Sequence, residues 1–194
     1  MTYHLISAVE LASTTSVVEF EDISDEGIML ECRVNAKSTR STDSDQIGFK
    51  TIDGYQNGWS GGMSVHDRTS WTNSNMHYSW GGGGSMFSST VYTNIAASGT
   101  TTNLTGQFSP VLMQYWNYNV DTQPTSALLW SGTLNDNSSN YSYNSLQSVW
   151  GNLLDYAGGS QFERLTKMSG LYIQCGFGDF VAGSSFRLYG YKAA

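Results

Sequence analysis

From Ile28 to Ala36 every even position is apolar (Ile28, Leu30, Cys32, Val34, Ala36), and Glu31, Arg33 and Asn35 between them are polar. A side-chain period of two is that of an extended strand with one face on a core and the other on solvent. Leu171, Ile173, Cys175 and Phe177 repeat the pattern far along the chain. Leu5, Ser7, Val9 and Leu11 give a weaker version, and Val18 and Phe20 follow a Ser13-Thr14-Thr15-Ser16 turn. A further strand closes the chain at Phe186-Arg187-Leu188-Tyr189-Gly190-Tyr191, and others are expected at 46–52, 86–95, 104–108, 111–120 and 127–134. Many short strands about 8–12 residues apart, broken by Gly, Ser and Asn, predict a sandwich or barrel. The whole of residues 1–194 is expected to form one such domain.

Two segments depart from this rhythm. Leu146, Val149, Trp150, Leu153, Leu154 and Ala157 recur at helical spacing, and Gly158-Gly159 supplies a stop. That predicts one short amphipathic helix over 145–157, weakened by Gly151. In 54–85, Gly54, Gly58, Gly61, Gly62 and Gly81 to Gly84 alternate with Tyr55, Trp59, Trp71, Tyr78 and Trp80. A long Gly/Trp-rich loop is expected there, either packed on its own aromatics or carrying recognition residues on the β scaffold.

Apolar residues make up 39% of the chain and aromatics 13%, enough for a sizeable core despite only 13% charged residues. No run approaches the roughly 20 apolar residues of a membrane helix, so no membrane partner is expected. The opening Met1-Thr2-Tyr3-His4-Leu5 lacks the basic and apolar regions of an export signal. Cys32 and Cys175 both fall on apolar sides of alternating runs. Buried free thiols are the favoured state, with a disulfide between the two strands as the alternative.

The net charge of −7 has one source. Residues 1–31 hold Glu10, Glu19, Glu21, Asp22, Asp25, Glu26 and Glu31 and no Lys or Arg, while the remainder balances nine acids against nine bases. An acidic segment repels phosphate, so nucleic acid is not an expected partner. It is a solvated face that keeps the protein soluble, or charges that blunt an edge strand, or a surface that docks on a basic partner.

Catalytic and metal motifs fail on inspection. Gly58-Trp59-Ser60-Gly61-Gly62 matches a hydrolase nucleophile elbow but lacks a legible strand before it and helix after it. Asp43-Ser44-Asp45 opens like a calcium loop, yet Ile47 and Gly54 stand where oxygen ligands are required. His4, His66 and His77 have no metal spacing. Asp53, Asp67, Asp121 and Asp136 are too scattered to nominate as an acid pair. Sequons at Asn103, Asn137 and Asn140 arise readily in so Ser/Thr-rich a chain. The chain is therefore expected not to be an enzyme, and to bind no cofactor and no metal.

Tyr3-His4-Leu5-Ile6-Ser7, then Leu11-Ala12-Ser13 and Ser16-Val17-Val18-Glu19-Phe20, resembles the opening of a group of small virion proteins of tailed bacteriophages. The ending Gly183-Ser184-Ser185-Phe186-Arg187-Leu188-Tyr189-Gly190 is similar to that group's closing strand. Where the group has a Pro-containing turn after Phe20, this chain has Glu21-Asp22-Ile23-Ser24-Asp25-Glu26-Gly27. The resemblance implies a jelly-roll-like antiparallel β-sandwich, often trimeric, on the exterior of a virion assembled in the host cytoplasm. It implies one of two roles: a decoration (cement) protein bound across capsomers of the major capsid protein, or a tail-fibre protein meeting host surface glycan or protein. Both terminal motifs in one short chain favour decoration. The expected contact residues are Trp59, Trp71, Tyr78 and Trp80 with Glu19 and Glu21 of the acidic strands.

Overall fold

Alternating side chains and polar breaks fold into strands along the described residues. The computed structural model describes residues 2–23, 27–41, 44–52, 57–66, 71–78, 91–97, 108–120, 125–133, 145–157, 160–163 and 167–192. Its strands are β1 (Thr2–Glu10), β2 (Val17–Phe20), β3 (Met29–Ser38), β4 (Ser44–Ile52), β5 (Asn57–His66), β6 (Trp71–Tyr78) and β7 (Val91–Ala97). They continue with β8 (Ser109–Trp116), β9 (Ser126–Thr133), β10 (Ser145–Ala157), β11 (Ser160–Glu163), β12 (Gly170–Cys175) and β13 (Ser185–Lys192). Among the described residues there is no helix.

The fold is all-β, with two antiparallel sheets. Sheet A runs β1-β13-β3-β8-β9-β10-β5-β6, with β11 paired to the end of β10. Sheet B runs β2-β12-β4-β7. The sheets meet where Lys37 and Ser38, at the end of β3, pair in parallel with Ala96 and Ala97 of β7. Both line one apolar core: Leu30, Cys32, Val34, Met113, Tyr115, Leu129, Phe186 and Leu188 from sheet A meet Val18, Phe20, Ile47, Phe49, Leu171 and Ile173 from sheet B. Both cysteines are buried and free.

The period-two reading holds within the strands and fails just outside them. Leu30, Cys32, Val34 and Ala36 are buried, but Ile28 precedes β3 and is exposed. Leu171, Ile173 and Cys175 are buried, whereas Phe177 lies beyond β12, 67% exposed, with the Arg40 guanidinium 4.3 Å from its ring centre. In β1 the pattern is interrupted by a bulge. Leu5 pairs with Tyr189 and Ser7 with Leu188, leaving Ile6 as an extra residue. A bulge reverses the facing of the residues after it. Leu5 therefore turns outward, while Ile6, Val9 and Leu11 pack on the core.

The segment 145–157 is not a helix but β10, hydrogen-bonded to β9 on one side and β5 on the other. The apolar residues there form two series with a step of four, Leu146/Trp150/Leu154 and Val149/Leu153/Ala157. A step of four returns to the same face of a helix, and equally to the same face of a strand. Gly151, Asn152, Ser148 and β-branched Val149 are weak helix formers, and two partner strands satisfy the backbone instead. Within the expected loop 54–85, residues 57–66 and 71–78 are likewise the paired strands β5 and β6. Glycines at 58, 61 and 62 hide this from a pattern search, since they offer no side chain to alternate. Positions 79–85, and 104–107 of the expected strand 104–108, lie outside the described residues.

One buried carboxylate fixes the path after β12. Asp45 is 1% exposed. Its Oδ2 accepts from Ser38 Oγ at 2.5 Å, Gly178 N at 2.9 Å and Cys175 Sγ at 3.3 Å. Its Oδ1 accepts from Gln46 N at 2.8 Å, with Arg40 Nη1 at 3.7 Å. So many donors satisfy the charge that burial would otherwise penalise. Burial, the largest influence, pushes the Cys175 thiol up to about 12, leaving it a donor rather than a nucleophile. Beyond it Ser184 N donates to Val181 O in a tight turn whose third residue, Gly183, has φ +86°. That turn delivers the chain into β13.

Phe186, wholly buried and edge-on to Phe180 at 5.0 Å, should cost about 3–5 kcal/mol when changed to Ala. Phe177→Ala should stay within about 0.5 kcal/mol of the parent in the same urea titrations.

Candidate functional site

The residues that alternate with the core positions of β1, β13, β3, β8 and β9 make the outer face of sheet A. Register lines them up across the strands in three rows. Tyr3, Tyr191, Met29, Trp116 and Ser126 form the first; Leu5, Tyr189, Glu31, Gln114 and Leu128 the second; Ala8, Arg187, Arg33, Leu112 and Trp130 the third. A solvated sheet face is ordinarily polar. This one leaves Tyr3 42%, Leu5 53% and Trp130 43% exposed.

A polar knot sits in the middle of the face. Glu31, on β3, is 3% exposed. Its Oε1 accepts from Arg33 Nε at 2.6 Å. Its Oε2 accepts from Gln114 Nε2 at 2.8 Å and from Tyr191 Oη at 3.2 Å. Glu31 and Arg33 are two apart on one strand, so both point outward, and β8 and β13 bring the other donors in from either side. The Arg33 guanidinium lies 5.5 Å from the Tyr3 ring centre and 5.0 Å from that of Tyr189. Tyr3 stacks on Tyr189 at 4.6 Å and meets Tyr191 at 4.7 Å with a 50° tilt. Ring stacking and cation–π contact together hold the arginine in place.

The knot shifts its own acid–base equilibria. Burial against the neighbouring rings raises Tyr3 to about 12, with Arg33 pulling the other way. Burial and the Glu31 carboxylate raise Tyr191. The hydrogen bond to Glu31 raises Arg33 further above its usual value. The face thus presents neutral phenols and a permanent cation. Such a set binds by stacking, hydrogen bonding and charge.

The residues expected from sequence to make contacts fall elsewhere. Trp59 on β5 is opposite Tyr78 on β6, and Trp71 is opposite His66, so the structure brings these aromatics into one hairpin. Trp80 lies outside the described residues. Glu19, on the sheet B edge strand β2, is opposite Tyr172, and Glu21 follows just beyond; both are exposed. They are not on the hairpin. Ser60 lies in mid-strand, opposite His77 and Asn152, rather than on a strand-to-helix elbow. Asp45 of the would-be calcium loop is buried under its donors, and among the described residues no group of three His, Cys, Asp or Glu side chains gathers to hold a metal. Asp53, Asp67, Asp121 and Asp136 lie outside the described residues. Sequence reasoning missed the outer face of sheet A, because its rows join residues from both ends of the chain. The one signal was polar Glu31-x-Arg33 inside the strongest alternating run.

No protein-family model, no curated protein and no solved structure matches this chain.

Glu31→Gln leaves a single acceptor oxygen and turns an NH2 toward donors, so it should lower stability by about 2 kcal/mol in urea titrations. Tyr3 ionises near 10 in the unfolded chain and near 12 in the fold. Its contribution is therefore whole below pH 10 and is lost as pH rises through about 12. Tyrosinate absorbance should show this phenol titrating late, and Tyr3→Phe should remove the late step.

Proposed function

We propose that this chain is a structural protein of the exterior of a tailed-phage virion, a decoration protein that binds across capsomers as a homotrimer. In this reading the two sheets form a jelly-roll-like sandwich, and the protein acts by association, with no bond made or broken. The supporting observation is the outer face of sheet A, where Tyr3, Tyr189, Tyr191, Trp116 and Trp130 share three rows with Arg33 and Arg187. Aromatic residues and Arg, with few other charges, are the composition of a protein–protein contact rather than of a solvated surface. The terminal strands that carry the phage resemblance, β1 and β13, lie side by side at one edge of this face.

The mechanism is mechanical. Packed DNA pushes a shell outward, and a protein spanning the joints must be peeled off before capsomers part. Many copies multiply a modest affinity at each joint. A trimer matches a three-fold position on such a shell. The aromatic segment with Trp59, Trp71, Tyr78 and Trp80 is assigned to the shell, leaving the sheet A face for contacts between copies.

Purified virions should carry the chain in hundreds of copies on the head, and heads stripped of it should rupture at lower temperature. Trp71→Ala with Trp80→Ala should weaken binding to stripped heads at least about tenfold, a change of about 1.4 kcal/mol. A count near about a dozen trimers, located at the tail, would instead establish the fibre role, with host glycan or protein as partner.

A further inference from the structure

Arg187 and Arg33 face each other directly across β13 and β3. Like charges in directly opposed positions destabilise a sheet. Glu31 is paired with Arg33 through Nε at 2.6 Å, and no ion pair joins it to Arg187. Arg187 is exposed and has no ion-pair partner among the described residues. Glu10, one row further along the face, is not within ion-pair distance of it. Two guanidiniums are therefore held side by side with the charge of one uncompensated, and Leu112 and Trp130 continue their row. Such a site calls for an anionic occupant.

The same chain carries one. Glu19, Glu21 and Asp22 crowd the end of β2 at the edge of sheet B, exposed, with no ion pair among the described residues. No Lys or Arg occurs before Arg33 in the sequence. We propose that copies of this chain join head to tail, Arg187 and Arg33 of one copy receiving the carboxylates of Glu19, Glu21 and Asp22 of the next. The inference rests on the oligomeric part of the function proposed above and supplies its interface.

Charge decides the symmetry. Stacking the sheet A faces of two copies about a two-fold axis would set arginine against arginine. A head-to-tail contact sets each patch on its opposite and closes into a ring when the rotation allows, as in a trimer. Five strands about 4.8 Å apart, each giving about five residues of 3.4 Å rise, present on the order of 400 Å². That is about half of the roughly 800 Å² each partner gives to a standard interface, which places the contact in the weak, salt-sensitive class. Carboxylate–guanidinium pairs then fix the register.

The test is mass in solution, by sedimentation and native mass spectrometry, on the full chain. The parent should be a trimer whose dissociation constant rises with salt. Arg187→Glu should be monomeric at concentrations at least tenfold above that constant, and Glu19→Lys with Glu21→Lys should be likewise. All three substitutions in one chain should recover association in part, because position 187 again faces charges of opposite sign at 19 and 21 while Arg33 and Asp22 stay as they are. Circular dichroism identical to the parent's shows that each variant is folded. A parent that stays monomeric, or a trimer indifferent to Arg187→Glu, overturns the proposal. So does a folded triple variant that recovers no association. Head binding is scored separately: a monomer that decorates heads sinks the interface and leaves the function, while a charge-dependent trimer that ignores heads does the reverse.

Discussion

Strand β3 is the constraint on which the rest depends. Ten residues in one extended run are hydrogen-bonded to β13 on one side and β8 on the other, and the last two cross to β7 in the second sheet. Its even side chains, Leu30, Cys32, Val34 and Ala36, are the middle of the core. Its odd side chains, Glu31 and Arg33, are the middle of the outer face. Core and face are therefore one object seen from two sides. A slip of one residue in either neighbouring register would bury a guanidinium and expose the core row, so the hydrophobic side protects the polar side.

Electrostatics on the outer face follow from this placement. A carboxylate as buried as Glu31 is tolerable only because three donors converge on it, and they arrive from three different strands. The knot thus acts as a register pin between β3, β8 and β13, fixing where Arg33 and the tyrosines stand. Asp45 does similar work at the other end of β3, tying Ser38 to the chain after β12. Both carboxylates stabilise by arrangement. Neither is placed to react.

The fold class was legible where one face of a strand is apolar and the other polar: 28–36, 171–175 and 186–191 read directly as strands. It was illegible where the pattern serves two periods at once, as in 145–157, whose step of four suits a helix and a strand equally. It was also illegible in 57–66, where glycines empty the alternation. The apolar ends of good runs misled in another way. Ile28 and Phe177 continue the pattern just beyond the ends of β3 and β12, and pattern alone has no knowledge of where a strand stops. The outer face could not be read at all, since it requires Tyr3, Arg33, Gln114 and Tyr189 to be neighbours, and only the pairing of first and last strands makes them so. The acid run before Arg33 was visible as charge, and its basic counterpart was visible only once Arg187 was seen opposite Arg33.

The bulge at Ile6 bears on which surface a partner can use. Strand β1 is the edge of sheet A, nine residues long, and carries neither Pro nor Lys to discourage another strand from adding to it. Such an edge would favour open-ended growth, strand upon strand. An extra residue in mid-strand kinks the edge and rotates its free N–H and C=O groups out of line, so a straight partner strand cannot pair along its length. The same rotation that closes the edge turns Leu5 outward beside Tyr189 and adds it to the face. One inserted residue thereby withdraws backbone as a means of association and enlarges the side-chain surface in its place. A contact made by side chains has a fixed charge pattern and a fixed number of neighbours, which a finite assembly requires and an exposed strand edge does not provide.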